Sequence, residues 1–318
     1  MKKKKNDKGE KTDELVNPST GYHVPVLYHE SIEALNIRPG GTYVDCTFGG
    51  GGHSRAILEK LGDEGRLIAF DQDADAQQNL PADDRVLFIP QNFRHLQRFL
   101  RLHKIDAVDG ILADLGVSSH QFDEAERGFS IRFDADLDMR MDNRQTKTAA
   151  DVLNEYSEAE LHKLFEKYGE VTNSKTLAKA IVEQRGIAEF KTITAFKSAL
   201  QGLVKGNPNK YWAQVFQALR IEVNDEMKAL EEMLGQAIEC LTEGGRLAII
   251  SFHSLEDRIV KNFMKYGSVE EPEADDVFGT RPESPLKIIT KKPVTAGKEE
   301  LKNNSRSRSA KLRIAEKK

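Results

Sequence analysis

Cysteine is scarce. Cys46 and Cys240 are the only two in 318 residues, and they stand far apart. That excludes a disulfide framework and any Cys-x-x-Cys zinc or redox motif, and it fits a reducing, cytoplasmic setting. The eight histidines are scattered with no ligand spacing, so no metal is expected. Long apolar runs are missing as well. No window approaches the roughly 20 apolar residues of a membrane helix, and the lysines at 2–5 have no apolar stretch behind them, as a secretory signal requires. No membrane partner is expected. The P-loop pattern G-x-x-x-x-G-K-[ST] is absent, and the dinucleotide fingerprint G-x-G-x-x-G fails: from Gly49 its last position falls on Ser54, from Gly50 on Arg55. A P-loop NTPase is thereby excluded and an NAD oxidoreductase disfavoured.

The chain has the length of about two domains. With 39% hydrophobic and 31% charged residues, wholesale disorder is excluded. The net charge of −4 is unevenly spread. Residues 1–11 hold six lysines against Asp7 and Glu10, and residues 287–318 hold eleven Lys/Arg against Glu299, Glu300 and Glu316. Residues 160–210 hold nine Lys/Arg against five Glu, which leaves the remainder strongly acidic. Basic ends and a basic middle on an acidic body are a footprint for a polyanion; solvated tails are the plainer alternative.

From 42 to 133 the pattern alternates. Apolar β-prone runs at 42–46, 66–70, 86–89 and 107–113 are separated by helical spacing at 54–61 and 93–102. Strands alternating with helices imply right-handed crossovers and a parallel sheet. From about 148 to 241 the strands give way to helices. Ser157 and Glu160 form a capping box, helices are predicted at 174–185 and 194–203, and a long helical stretch at 215–241 follows the turn Gly206-Asn207-Pro208-Asn209. An isolated strand at 246–252 then rejoins the first sheet, and Ser254 to Asp257 opens a further helix. The economical reading is a doubly wound α/β domain interrupted by a helical insertion.

Ligands of open parallel sheets bind at the carboxyl ends of the strands. Four such ends carry unusual chemistry here: Asp45 with the glycines 49–52, Asp71, Asp114, and Ser251-Phe252-His253. The glycines let backbone approach a ligand, and the helix after them offers its N-terminus to an anion. Asp71, twenty residues after Gly51, stands where a carboxylate accepts both ribose hydroxyls of an adenosine cofactor; capping of the next helix, by Asp71 or by Asp73, is the alternative. Phe93 follows the third strand, where an adenine ring would lie, or packs in the core. Asp114 stands where a carboxylate would face the reacting centre and, as a fixed acceptor on an exocyclic amine, localise its lone pair for attack on a methyl sulfonium; a loop Asp bonding to backbone amides is the alternative. His253 either contacts substrate and takes a proton at neutral pH or holds the turn at Ser254.

Seven blocks carry a resemblance: FGGGGHS at 48–54, DLGVSS at 114–119, ERGFS at 126–130, LDMRMD at 137–142, FQALRI at 216–221, SFHSLEDR at 251–258 and SRSRSAKLR at 305–313. Together, over about 22–316, the chain closely resembles the bacterial 16S rRNA (cytosine-N4) methyltransferases, the RsmH (MraW) family. The resemblance implies a class I S-adenosylmethionine-dependent methyltransferase, Rossmann-like and α/β, with an inserted all-helical domain. It implies N4-methylation of a decoding-site cytidine in 16S rRNA of the small ribosomal subunit, and it is compatible with a homodimer. Carried over by motif, Gly51, Gly52 and His53 hold the methionine end, Asp71 the ribose and Phe93 the adenine, while Asp114 and Gln121 complete the cofactor pocket. Asp114 and His253 are the candidate catalytic groups. Leu115-Gly116 departs from the two prolines of the D-P-P-[YF] motif of amino-methyltransferases. The layout expected is a basic tail at 1–20, a first methyltransferase segment at 21–124, the helical substrate-recognition insertion at 125–219, and a second segment at 220–318 with a basic C-terminal tail. Phe122, Phe129 and Phe133 are candidates to sandwich a base that has left its stack. The absence of a cysteine after the fourth strand favours direct transfer. A methyltransferase on another nucleic acid and a non-catalytic ribosome-assembly factor are the alternatives.

Overall fold

The structure is a computed structural model that describes residues 25–271 and 283–318. The basic run expected at 1–20 lies outside the described residues. Seven strands form one sheet: β1 (Thr42–Asp45), β2 (Arg66–Phe70), β3 (Val86–Ile89), β4 (Val108–Asp114), β5 (Leu241–Ser251), β6 (Leu286–Ile288) and β7 (Lys311–Lys317). Their order is β3-β2-β1-β4-β5-β7-β6. The first five pair in parallel, and β7 runs antiparallel to both β5 and β6. The order reverses between β1 and β4, so the crevice for a ligand opens at their carboxyl ends.

The helices in chain order are α1 (Tyr28–Ala34), α2 (Gly52–Lys60), α3 (Leu96–Leu102), α4 (Ser119–Asp123), α5 (Ala149–Glu155), α6 (Glu158–Gly169), α7 (Ser174–Arg185), α8 (Ile193–Leu200), α9 (Pro208–Asn224), α10 (Glu226–Cys240), α11 (Ser254–Tyr266) and α12 (Lys298–Asn303). Apolar clusters cover both faces of the sheet. One face carries Leu96, Leu230, Met233 and Phe263 from α3, α10 and α11; the other carries Leu27, Leu35, Ile57 and Leu58 from around α1 and within α2. A parallel sheet needs this double cover.

A separate core runs from Phe129 to Val223 and is built from α5 to α9, with Phe165, Phe190, Phe196 and Trp212 at its centre. The boundary expected at 219/220 falls inside α9. That helix carries buried Leu219 and Val223 into the same core and ends only at Asn224. The predicted helix 215–241 is two helices, because Asp225 adopts a left-handed conformation (φ 50°) and turns α9 into α10. The segment expected as a basic C-terminal tail is the other correction. It forms β6, α12 and β7, with Leu312 and Ala315 fully buried. The alternation Leu312, Ile314 against Lys311, Arg313 is a strand period, which the density of charge conceals.

Candidate functional site

The carboxyl ends of β1, β2 and β4 open into a cavity of about 770 Å³, well within the size of small-molecule sites, roughly 300–1,000 Å³. Behind its lining lies Asp45. The carboxylate is buried, accepts the Thr47 amide at 3.0 Å and the Ser54 hydroxyl at 2.7 Å, and so ties the end of β1 to the first turn of α2. The glycine loop lies between them. Gly51 is left-handed (φ 72°), and an added Cβ would stand 2.8 Å from the Phe48 ring. Gly51 therefore makes the turn, while Gly49, Gly50, Gly52 and His53 line the cavity.

Asp71, at the end of β2, lines the next wall. Its two oxygens accept the amides of Gly49 (2.7 Å) and Asp73 (2.8 Å), which fixes the glycine loop against β2. Burial pushes its carboxyl up to about 7, against the pull of both amides. Asp73 caps the following 3-10 turn and is a hub. Its Oδ2 accepts Gln121 Nε2 at 2.7 Å and Arg127 Nη1 at 3.0 Å. Gln121 is buried and also closes the capping box of α4 with Ser118. Arg127 reaches on to the carbonyls of Arg140 and Met141, which joins the ERGFS and LDMRMD blocks to the cofactor side of the cavity. Phe93 lines the cavity and packs partly buried on the core beneath it.

Asp114 ends β4. Its amide donates to Thr47 Oγ1 at 2.7 Å. Oδ2 stands 3.8 Å from His53 Nδ1, and Oδ1 is shielded with no hydrogen-bond partner among the described residues. Burial, then the nearby charges of Asp45 and Glu256, push the carboxyl well above its usual range. Burial holds the His53 imidazole down to about 4, so its contact with Asp114 is not an ion pair. With Nε2–H donating to the Val26 carbonyl at 3.2 Å, His53 turns an unprotonated Nδ1 toward Asp114.

The insertion supplies the facing wall. Arg220, near the end of α9, makes a two-pronged pair with Glu226 at 2.8 and 3.0 Å. Both line the cavity with Glu256 and Phe252. Glu256, fully buried, accepts the amides of Phe252 and His253 and holds the turn after β5. His253 does not line the cavity. Its Nδ1 accepts the Glu256 amide at 3.4 Å and its Nε2 stands 3.1 Å from Glu256 Oε1, so it caps α11. Although the sequence shows no ligand spacing, the fold brings ligand atoms of Glu226, His253 and Glu256 within 4.8 Å of one another; the Arg220 guanidinium already supplies a positive charge there. Of the three aromatic candidates, Phe122 lines the cavity, Phe129 is buried in the insertion core and Phe133 is exposed away from it. Arg220 was visible in the sequence only as a member of a block; its partner Glu226 stands at the start of the next helix.

These residues fit S-adenosylmethionine. The orphaned Oδ1 of Asp114 lacks a donor, Asp71 retains lone pairs for ribose hydroxyls, and the N-terminus of α2 opens beside the glycines. No helix among the described residues is long and apolar enough to cross a membrane.

Residues 20–318 match the model of the MraW methylase family. The chain is 55% identical over 300 residues to the ribosomal RNA small subunit methyltransferase H of Bacteroides fragilis (strain YCH46), covering 94% of this chain and 98% of that protein. It is 55% identical over 298 residues to the protein of the same name from Bacteroides thetaiotaomicron, covering 93% and 98%. With that of Porphyromonas gingivalis (strain ATCC 33277) the identity is 53%, covering 93% and 97%. A sheet that opens at the β1/β4 reversal, an acidic cavity with an unpartnered carboxylate, and likeness over nearly the whole chain converge: this chain belongs to the MraW methylase family of S-adenosylmethionine-dependent methyltransferases.

Proposed function

We propose that the protein methylates the exocyclic N4 of a cytidine in the 16S rRNA of the small ribosomal subunit, and that it works in the cytoplasm. The observation that carries the reading is Asp114: a cavity-lining carboxylate at the end of β4 with one oxygen shielded and unpartnered. Bound S-adenosylmethionine supplies an electrophilic methyl group on a sulfonium. Asp114 accepts an N4–H bond of the target base, which localises the amine lone pair and aims it along the line of displacement. In the displacement that the bound cofactor would support, Asp114 would take up the surplus N4 proton, its raised pKa making it the stronger base. Cys46 lines the cavity, but burial holds it as a thiol, in keeping with direct transfer. Asp71 orients the cofactor through its ribose, Phe93 covers the adenine, and the helical insertion presents the RNA.

The test uses tritiated S-adenosylmethionine and small subunits from cells lacking the protein, with free 16S rRNA beside them. Label recovered as N4-methylcytidine by mass spectrometry is the expected result. No label with cofactor still bound would favour an assembly role without chemistry, and label on another nucleic acid would replace the substrate.

A further inference from the structure

The SRSRSAKLR block has no role in the chemistry just described, and most cations of its region are already engaged. Lys311 and Arg313 bind Asp257 on α11 at 3.1 and 2.7 Å. Lys317 donates to the Leu241 carbonyl, and Lys287 pairs with Glu316. Of the eleven Lys/Arg from 287 onward, Arg306 alone lines the cavity. It stands in the 3-10 turn Ser305–Ser309. Two other arginines line the cavity, and their guanidinium groups are committed: Arg55 to the carbonyls of Gly50 and Asn79, Arg220 to Glu226. Arg306 differs. Its Nη2 donates to Asp123 at 3.0 Å, while its Nη1 is shielded and meets no acceptor among the described residues.

We propose that Arg306 is a phosphate-gripping residue for the RNA substrate, trading Asp123 for the phosphodiester beside the target nucleotide. Its position selects that ligand. The guanidinium is 29% exposed and its partner Asp123 is 58% exposed, next to Phe122 at the cavity mouth. The groups that face the cofactor, His53 and Gln121, lie buried below. A base that enters the cavity leaves its own phosphates at the rim. An ion pair with an exposed carboxylate is worth little, and an N–H without an acceptor is a standing cost. A phosphate answers both by taking two parallel N–H bonds from one guanidinium. Arg308, two residues on, is exposed with no ion-pair partner among the described residues, and adds positive potential at the same turn.

The inference rests on the reading that this cavity takes an RNA nucleotide. The experiment measures initial rates on small subunits across subunit concentration and salt for wild type, Arg306→Gln, Arg306→Lys and Asp123→Asn. Calorimetry gives the S-adenosylmethionine Kd of each. Arg306→Gln is expected to raise the subunit KM several-fold and to leave the cofactor Kd unchanged. The slope of log kcat/KM against log salt should become shallower by about one. Arg306→Lys recovers part of the loss, because a point charge replaces the fork. Asp123→Asn, which neutralises the resting partner, leaves KM unchanged or lowers it. Unchanged KM and salt slope in Arg306→Gln would overturn the proposal. So would a weakened cofactor Kd with normal subunit KM, which would assign Arg306 to the cofactor, or a raised KM in Asp123→Asn. The methylated nucleoside made by wild type tests the substrate reading separately, since the variants are scored against wild type on whatever RNA it labels.

Discussion

Asp114 loses solvent to the cavity wall and faces Asp45 and Glu256, whereas Asp71 spends both oxygens on backbone amides. The two carboxylates are therefore expected to fail differently. Asp114→Ala should lower kcat by about 10²–10⁴, the usual worth of a positioned proton acceptor, while cofactor Kd moves little; a variant that lost only cofactor affinity would remove Asp114 from the chemistry. The surviving activity of the wild type should fall as pH drops, because the raised pKa keeps Asp114 protonated to higher pH. Asp71 titrates near 7. Its carboxylate accepts ribose hydroxyls and its protonated form accepts them poorly, so S-adenosylmethionine should bind more tightly as pH rises from roughly 6 to 8, by at most about tenfold per unit below the pKa. Asp71→Asn should bind weakly and lose that dependence; a wild-type profile that stays flat, or an unchanged profile in the variant, would place the titration elsewhere. Asp71, Phe93 and Asp114 were legible because each ends or follows a strand, and strand ends are readable from local pattern. The hub at Asp73 was not, since Gln121 and Arg127 reach it from 48 and 54 residues away and meet it only in the fold.

The elements show how the insertion holds its own LDMRMD loop against the end of α9. LDMRMD contains Met139 in a left-handed conformation (φ 63°), and α9 ends beneath it. Asn224, the last residue of α9, is buried; it donates to the carbonyls of Met139 and Arg220 and accepts the Met141 amide at 2.7 Å. Asn224→Ala should cost about 2–4 kcal/mol, because it strands the Met141 N–H and the Met139 carbonyl away from water. Denaturant unfolding measures it, and a cost below about 1 kcal/mol would mean that the loop repacks. Helix existence in this region was legible, as at α6 and α7, whose caps and periods are local. The break at Asp225 was not. Asn224-Asp225 is the one local hint, since Asn and Asp enter the left-handed region more readily than other non-glycine residues, but the apolar period runs on past it. Tertiary contacts impose it: the Arg220–Glu226 pair spans the break and turns α10 back onto the sheet.

For the whole molecule, the C-terminal segment decides between two pictures of the chain. As a basic tail it would be dispensable for folding and would add only affinity for RNA. In the structure β7 lies between β5 and β6 and pairs with β5 from Arg246↔Glu316 to Ser251↔Lys311. Leu312 and Ala315 are fully buried and Ile314 nearly so. Burying Leu312 and Ile314 alone contributes about 1.5–3 kcal/mol each. Their loss would also uncover the outer edge of β5, an invitation to association between chains. Asp257 adds to the closure: burial raises its carboxyl, yet Arg313 and Lys311 bring it net below the usual range, so their contribution is present near neutral pH and is lost as pH falls through that depressed value. A chain ending at residue 303 is therefore expected to accumulate as aggregate or to melt without a cooperative transition. The point variant Arg306→Gln, which leaves β7 whole, should melt cooperatively and bind cofactor as wild type does. Thermal unfolding by circular dichroism separates the pictures. A soluble, cooperatively melting, cofactor-binding truncation would restore the tail, and with it the view that charge rather than strand period governs these residues.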